Sequence, residues 1–389
     1  AMAGRFIADS LLYWAREYHI DGFRFDLMGL LDIAALNRAA EELRAENPSV
    51  ILYGEGWTGG SCPLPEELRA MKKNARELPD FAMFSDDLRD GVLLLIWGYF
   101  LKIVVADRAA LFVAAVYAPE SEYEGWFYII ATLLFALQLY GDFGGCSVMA
   151  MGTAKILGID LIDNFNAPYF SQSIAEFWRR WHISLSTWFR DYLYIPLGGN
   201  RKGALRKDFN VLVTFAVSGL WHGAQWNYMA WGLLNGLYQI IGAALLPLRK
   251  AVVRALHIDP QSRLHKLLRV AVTFALFNST LVFFRAYRLM DAVRILISMA
   301  TVHNFEIFTD GSLFACGIDA FNFALLGVYA LVMLAVDVCK YKQIKVRSVI
   351  KKQHWLCQVA VVVLGVLAVL LLGVYGPGFE ASNFIYSQF

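Results

Sequence analysis

Residues 355–376 form a run of 22 residues, WLCQVAVVVLGVLAVLLLGVYG, that contains no charged side chain. A helix needs about 20 mainly apolar residues to cross the hydrocarbon core of a bilayer, so this run predicts a membrane-spanning helix. Six further apolar stretches precede it, several interrupted by polar residues, as is typical of helices that line a cavity. They cover residues 92–118, 126–140, 209–221, 228–247, 267–284 and 321–338. The pattern predicts a mainly α-helical, polytopic membrane bundle.

The distribution of charge divides the chain near residue 91. Residues 1–91 hold 10 Lys and Arg against 16 Asp and Glu, whereas the remainder holds 25 against 17. An acidic, soluble-looking segment therefore passes directly into a basic, apolar one within FSDDLRDGVLLLIWGYFLKIV, residues 84–104. We predict two domains, residues 1–91 and 92–389.

The five cysteines are widely spaced and include no CxxC pair, which indicates neither a disulfide framework nor a zinc site. We expect no metal ion, no tightly bound cofactor and no nucleic-acid partner. The first residues, AMAGRFIADS, lack the basic start and apolar run of a signal peptide. They resemble the middle of a helix, which predicts that the chain is a fragment.

The first domain alternates helical and strand-like patterns over residues 5–57. A helix, a short β-rich run, a second helix and a second strand follow one another, so we expect a β-α-β unit with parallel strands and a right-handed connection. Asp26 and Glu55 fall at or near the C-terminal ends of the two strands. In a barrel of parallel strands this edge carries the active site.

Two of these segments, GFRFDLMG (22–29) and ILYGEGW (51–57), resemble the nucleophile and acid/base motifs of the alpha-amylase superfamily, glycoside hydrolase family 13. The segments DSLLYWAREYHIDGFRFD and PDFAMFSDDLRDG are similar to the pullulanase branch of that superfamily. The resemblance implies that Asp26 is a glycosyl nucleophile, Arg24 its orienting partner and Glu55 the general acid/base of a retaining mechanism.

Other parts of that superfamily's pattern are missing from the sequence, namely the early Asn-His motif and the late His-Asp motif. Two or three β/α units of an eight-unit barrel cannot close a sheet, and they leave open edges and an uncovered apolar face. We therefore expect a truncated, inactive, vestigial glycosidase fragment that packs loosely. An active alpha-glucan debranching hydrolase and a folded segment that only binds are the alternatives.

Four basic clusters predict the orientation of the second domain. They lie at residues 201–207, 248–254, 263–269 and 340–352. The positive-inside rule places them in the cytoplasm, so residues 267–284 run outward and the C-terminal NFIYSQF lies on the outer face. Residues 209–221 and 228–247 then form a hairpin whose tip, SGLWHGAQWNY (218–228), lies deep in the membrane or near its outer half.

The stretch APYFSQSIAEFWRRWHISLSTWFRDYLYIPLGGNRKG (167–203) contains a capping pattern, Ser173 followed by Glu176. An aromatic stripe at helical spacing follows, made of Phe177, Trp181, Leu185, Trp188 and Tyr192. An amphipathic helix at the membrane interface explains the stripe. It does not explain the histidine within it.

His182 and His222 are the candidate catalytic residues. A lone histidine in an apolar setting is more often a hydrogen-bonded structural residue than a catalyst. His222, however, stands between Trp221 and Gly223 in a short, polar hairpin at membrane depth, where an ionisable side chain indicates function. A neutral imidazole is suited to accept a proton from a hydroxyl.

The stretches around both histidines, residues 165–203 and 218–236, resemble the membrane-bound O-acyltransferase family, in particular its bacterial branch of alginate O-acetyltransferase-like and teichoic acid D-alanyl transfer proteins. The segments WGYFLKIVVADR (97–108), LQLYGDFGGCSVMAMG (137–152) and the terminal NFIYSQF are similar to the same family. The resemblance runs from about residue 92 to the end of the chain.

The resemblance implies a membrane O-acyltransferase, most simply one that acetylates hydroxyls of an exported polysaccharide. His222 would be the catalytic histidine, at the meeting point of a cytoplasmic donor tunnel and an outer-face acceptor funnel. His182 would be the second histidine, catalytic or structural. Candidate substrate-binding residues are Arg179, Arg180, Trp181, Asp191, Trp221 and Asn227.

The same resemblance implies that the acyl donor is a thioester, acetyl-CoA or an acyl carrier, used as a co-substrate. The expected location is the bacterial inner, or cytoplasmic, membrane, in contact with lipid, and a further partner is a periplasmic or extracellular acetyltransferase protein. Family members carry several more membrane helices before WGYFLKIV, in the place of which this chain has the amylase-like segment. We therefore expect a truncated membrane-bound O-acyltransferase fold preceded by a partial β/α-barrel fragment. The junction is explained by a mis-assembled or mispredicted gene or, alternatively, by a natural fusion of two genes.

Overall fold

The computed structural model describes residues 2–83 and 86–375. The chain divides into two compact units, Ala1–Asp86 and Asp87–Phe389. The terminal NFIYSQF, predicted to lie on the outer face, falls outside the described residues. The predicted fold class, mainly helical with a small β/α part, is confirmed.

The first unit is a small β/α layer. Its elements are α1 (Met2–Tyr18), β1 (Gly22–Phe25), α2 (Ile33–Glu46), β2 (Ile51–Gly54) and β3 (Phe81–Met83). The strands form one parallel sheet in the order β1-β2-β3. The predicted parallel pairing of the first two strands is therefore confirmed, and a third strand, within the pullulanase-like segment PDFAMFS, extends the sheet.

The expectation that this unit packs loosely is wrong. Ten buried apolar residues form one cluster under the sheet and α2, and several of them are almost inaccessible to solvent, including Met28, Leu36 and Leu43. Asp32 caps α2 by accepting a hydrogen bond from the backbone N–H of Ala34 at 2.9 Å. Because α2 covers one face of the sheet, the three strands share a hydrophobic core with the helix, although their edges stay open.

In its described length the second unit consists of helices joined by loops. Its first helical segment comprises α3 (Asp86–Tyr99), a π-helical turn (Phe100–Ala106) and α4 (Asp107–Val116). The remaining helices are α5 (Trp126–Ile156), α6 (Ile174–Arg180), α7 (Ile183–Phe189), α8 (Ala204–His222), α9 (Trp226–Ala244), α10 (Leu246–Ala255), α11 (Arg263–Arg285), α12 (Leu289–Thr301), α13 (Ala320–Tyr341), α14 (Val346–Lys351) and α15 (Trp355–Leu372).

Four of these helices, α5, α11, α13 and α15, are long and apolar enough to cross a membrane. A fifth span results if α9 and α10, which meet at a bend of 50°, are taken together. All seven predicted apolar stretches are helical. However, α5 extends to Ile156, well beyond the predicted end at residue 140.

Glycines lie in the part of α5 that extends beyond the predicted end. A Cβ atom at Gly145 would lie 2.8 Å from the carbonyl oxygen of Gly98, and one at Gly152 would lie 2.8 Å from that of Gly91. Residues in this half of α5 therefore let α3 approach backbone to backbone. The small residues that make the sequence look less membrane-like are the contact surface of the helix.

Buried charges also join these helices. Lys102, in the π-helical turn, forms ion pairs with Asp107 at 2.7 Å and with Asp142 of α5 at 2.6 Å. Both carboxylates are buried. Charges away from water are tolerated when they are paired at close range, so this triad fixes the position of the turn against α5.

Candidate active site

The hairpin of α8 and α9 carries His222 at its turn. A Cβ atom at Gly219 would lie 2.3 Å from the carbonyl oxygen of Tyr228, and one at Gly232 would lie 2.2 Å from that of Phe215. Only glycine allows the two helices to approach so closely. His222 is the last residue of α8, and Gly223 follows it as the C-cap.

Three aromatic rings surround the His222 imidazole. Trp221, Trp231 and Phe284, which we call the aromatic cage, have ring centroids 4.9, 5.1 and 5.2 Å from that of His222, all with their planes nearly perpendicular to it. His222 is only 5% exposed, although Trp221 is 52% exposed. The imidazole is thus held edge to face, with Trp221 on its solvent-accessible side.

His182 occupies the junction between α6 and α7. Its backbone is left-handed, with φ 46°, a conformation that a residue with a Cβ atom adopts infrequently. The side chain is buried, 4.5 Å from Phe143 and 6.2 Å from Trp221 by ring centroids. Burial lowers the pKa of His182 to about 4, so its imidazole is neutral at physiological pH.

The two histidines belong to one site. Both rings contact the Trp221 indole, and they are near enough to interact electrostatically. The sequence predicts each of them separately, and the structure brings them together from segments 40 residues apart. A pair of imidazoles, one of them neutral through burial, can exchange protons with a bound hydroxyl or thiol.

Asn164 holds the turn that presents His182. Its carboxamide oxygen accepts hydrogen bonds from the Ser184 backbone N–H at 3.2 Å and from the Ser184 hydroxyl at 2.6 Å, and its amide donates to Ser147 at 3.1 Å. The Asn164 backbone carbonyl accepts from the Ile183 N–H at 3.0 Å. Ser184 in turn lies 3.4 Å from His182 Nδ1.

The aromatic stripe does not lie on one helix face. The left-handed His182 breaks the chain into α6 and α7, so Trp181 is buried while Trp188 and Tyr192 are 53% and 69% exposed. The continuous amphipathic helix is therefore a wrong expectation. The cap is confirmed: Ser173 accepts from the Glu176 N–H at 3.2 Å.

Three predicted substrate-binding residues have charged side chains. Arg179 is exposed, and Asp191 is an exposed partner of Arg190 at 2.7 Å. Arg180 pairs with Glu176 at 3.0 Å and donates to the Asn166 carbonyl at 3.1 Å. Arg180 thus ties α6 to the loop before it.

The other three predicted substrate-binding residues are Trp221, described above, and two buried side chains. Trp181 lies within an aromatic cluster, 4.9 Å from Phe165 and 5.4 Å from Phe177 by ring centroids. Asn227 donates a hydrogen bond to the Ala286 carbonyl at 3.0 Å, which connects α9 to the end of α11. These contacts stabilise the walls around His222.

Residues that the sequence analysis did not foresee complete the site. Phe284 lies 62 positions after His222, and only packing of α11 against α9 brings it there. Asn164 stands in a loop without an obvious pattern. The one usable signal was the high frequency of glycine and tryptophan in residues 218–236, which indicates a tightly packed hairpin.

In the first unit, the predicted glycosidase residues lie at the C-terminal edge of the sheet. Arg24 forms ion pairs with Asp26 at 2.8 Å and with Glu55 at 3.0 Å, and Glu55 also accepts from the Leu27 N–H at 3.1 Å. The Asp26 side chain is 74% exposed. Within residues 2–83 and 86–375, no group of three or more His, Cys, Asp or Glu could hold a metal ion.

Much of the second unit is similar to known proteins. Residues 91–258 match the MBOAT, membrane-bound O-acyltransferase family. The probable alginate O-acetylase AlgI of Pseudomonas putida is 38% identical over 224 residues, which are 57% of this chain and 43% of that protein. The peptidoglycan O-acetyltransferase of Helicobacter pylori is 36% identical over 220 residues, which are 56% of this chain and 40% of that protein.

A further similarity covers a shorter part of the chain. The pullulanase of Bacillus subtilis is 45% identical over 91 residues, 23% of this chain and 12% of that protein. Among solved structures, pullulanase type I from Bacillus subtilis complexed with maltose matches with 30% identity over 40% of this chain and 25% of that chain. Its TM-score of 0.24 is too low to carry an argument.

The chain therefore contains a segment, residues 91–258, that matches the membrane-bound O-acyltransferase family, and another that matches part of pullulanase. With its long apolar helices it is a multi-pass membrane protein. It spans less than half the length of the acetyltransferase relatives that it matches.

The Asn164 contacts predict a specific loss of stability. In Asn164→Ala, three side-chain hydrogen bonds around the His182 turn disappear, so we expect the free energy of unfolding in detergent to fall by about 2 kcal/mol. Ser147→Ala removes one of these bonds and should lower it by about 1 kcal/mol or less. Equal effects of the two substitutions would contradict this assignment.

Proposed function

We propose that residues 92–389 form a membrane O-acyltransferase that transfers an acetyl group to hydroxyls of an exported polysaccharide. The observation that carries the proposal is the His222 imidazole, buried in the aromatic cage beside His182. The match of residues 91–258 to an O-acyltransferase family supports it, as do relatives named for acetylation of alginate and of peptidoglycan.

In the proposed reaction, His222 takes the proton of the acceptor hydroxyl as that oxygen attacks the carbonyl carbon of the donor thioester. The carbon–sulfur bond then breaks, and the imidazolium returns the proton to the departing thiolate. The products are an acetyl ester and a free thiol, so atoms and charge balance. The aromatic cage keeps water from the imidazole, which limits competing hydrolysis of the thioester.

His182 acts in this scheme as a second, neutral imidazole beside the reacting groups. Trp221, half exposed and in contact with both histidines, is the predicted binding residue best placed to contact a substrate. Arg179 and Asp191 are exposed, so polar groups of donor or acceptor can reach them, although Asp191 also pairs with Arg190. Arg180, Trp181 and Asn227 shape the site through the contacts that hold its walls.

The proposed setting is the bacterial inner membrane. The donor, acetyl-CoA or an acyl carrier, approaches from the cytoplasm, and the sugar acceptor approaches from the outer face, where we also place the C-terminus. A periplasmic or extracellular acetyltransferase protein would continue the modification of the polymer. The basic clusters of the sequence support this orientation.

We also propose that residues 1–91 are a vestigial glycosidase domain. Arg24 forms ion pairs with both Asp26 and Glu55, the residues that the resemblance implies as nucleophile and acid/base. However, the three described strands offer one wall of a glucan cleft, and Asp26 stands largely in solvent. Stabilising the transition state of glycoside hydrolysis requires polar groups on several sides of the sugar, and the described strands supply them on one side.

His222 substitutions test the proposed base. His222→Gln and His222→Ala should lower acetyl transfer by at least about 100-fold, because the proton acceptor is lost, while the protein still inserts and accumulates. The measurement is transfer of labelled acetyl from a thioester donor to a polysaccharide by the purified chain.

His182→Ala should be milder or act mainly through folding, and His303→Gln, at an exposed histidine, serves as the matched control. Near-normal transfer by His222→Gln would show that another group accepts the proton.

The front unit is tested by hydrolysis. Incubation of the purified chain with pullulan should release no reducing ends above those of an Asp26→Asn variant, because the cleft is incomplete. Release that Asp26→Asn abolishes would overturn the vestigial assignment.

A further inference from the structure

A bend separates α10 from the membrane helix that precedes it. The axis turns by 50° between α9 and α10, where Pro247 stands in the first turn of the new helix. After α10 and a short loop, α11 enters the membrane unit as the next candidate span. The surface formed by residues 246–269, which we call the elbow surface, therefore comprises the helix after the bend, the loop that follows it and the first turns of α11.

One face of α10 is apolar and uncovered. Leu248, Val252 and Leu256 follow one another at intervals of four residues, which places them on one side of the helix, and they are 61%, 46% and 64% exposed. The first turns of α11 add Leu264 and Leu267, at 78% and 64% exposure. The axis of α10 is turned by 50° from that of α9, so this face does not continue a face of α9.

Cations border the apolar face. The elbow surface holds six basic residues against a single acidic one, Asp259. The basic residues are Arg249, Lys250, Arg254, Arg263, Lys266 and Arg269. Among the described residues, none of the six forms an ion pair within 4.0 Å, in contrast to the paired arginines of α6 and of the first unit.

Two of these cations, on the successive helices α10 and α11, repel each other. Arg249 of α10 and Arg269 of α11 are close enough to interact electrostatically, and Glu176, an opposing charge that also interacts with Arg269, already pairs with Arg180. The buried Arg269 Nε also has no hydrogen-bond acceptor in the described part of the chain. Like charges held together in this way are stabilised by an anionic group from outside the chain.

We infer that the elbow surface binds the headgroups of anionic phospholipids, with α10 lying in the plane of the membrane. Its leucines would enter the boundary between headgroups and acyl chains, and the flanking cations would contact the phosphates, as in basic amphipathic helices at membrane surfaces. The proposal concerns lipid recognition and does not depend on acyl transfer. A second copy of the chain could instead cover the leucines, which the experiment distinguishes.

The test is native mass spectrometry of the detergent-solubilised full chain, titrated with dioleoyl phosphatidylglycerol or with dioleoyl phosphatidylcholine. We expect phosphatidylglycerol to bind at least about 25-fold more tightly, since each basic residue near an anionic headgroup contributes about a fivefold preference and two of them together contribute about 25-fold. Lys250→Gln/Arg254→Gln should remove about 25-fold of that affinity. Raising the salt concentration should weaken phosphatidylglycerol binding by the wild-type chain.

The matched control is Arg288→Gln/Arg294→Gln, which removes two charges at α12 and should leave lipid binding unchanged. Leu248→Ser/Leu256→Ser should weaken both lipids, because it removes the apolar anchor. Equal binding of the two lipids would overturn the inference, as would unchanged phosphatidylglycerol affinity in the Lys250→Gln/Arg254→Gln variant. A dimer that Leu248→Ser/Leu256→Ser converts to monomer would assign the surface to a second copy instead.

Discussion

The site depends on the backbone contact between α8 and α9. At Gly219 and Gly232 the two helices approach to a distance that no side chain permits, and this contact sets where the hairpin turns. His222 stands at that turn, and Trp231 stands one residue before the second glycine. Because both belong to the same close pair of helices, the distance between imidazole and indole is fixed by the backbone rather than by flexible side chains. A larger residue at either glycine would move the imidazole away from the cage.

Around that hairpin, side-chain hydrogen bonds hold neighbouring segments of the site in place. Asn227 ties α9 to the residue that follows α11, and so keeps Phe284 against His222. Asn164 holds the turn in which His182 adopts its left-handed backbone. Strained conformations persist where surrounding bonds impose them, and they are concentrated at functional sites. The hydrogen bonds of Asn164 therefore help to hold His182 in its left-handed backbone conformation, beside the proposed catalytic residue His222.

Sequence patterns predicted the helices well because the bilayer imposes length and apolarity on each span separately. The parallel strands around Arg24 and Glu55 and the cap at Ser173 were also predictable, since each depends on neighbouring residues. The break at His182 was not, because a regular spacing of aromatic residues carries no information about one left-handed φ. Phe284 joins the site through helix packing, and the core around Met28 forms through contacts that a strand count does not reveal. Residue roles at His182 and His222 came from family resemblance, and their proximity came from the structure.

The central claim is that the membrane unit esterifies an exported polysaccharide. It is tested most directly by the ester-linked acetyl content of the polysaccharide exported by host cells with and without this gene. The account predicts that cells lacking the gene export a polymer that has lost acetyl esters and that an intact copy restores them. An unchanged ester content without the gene would contradict it.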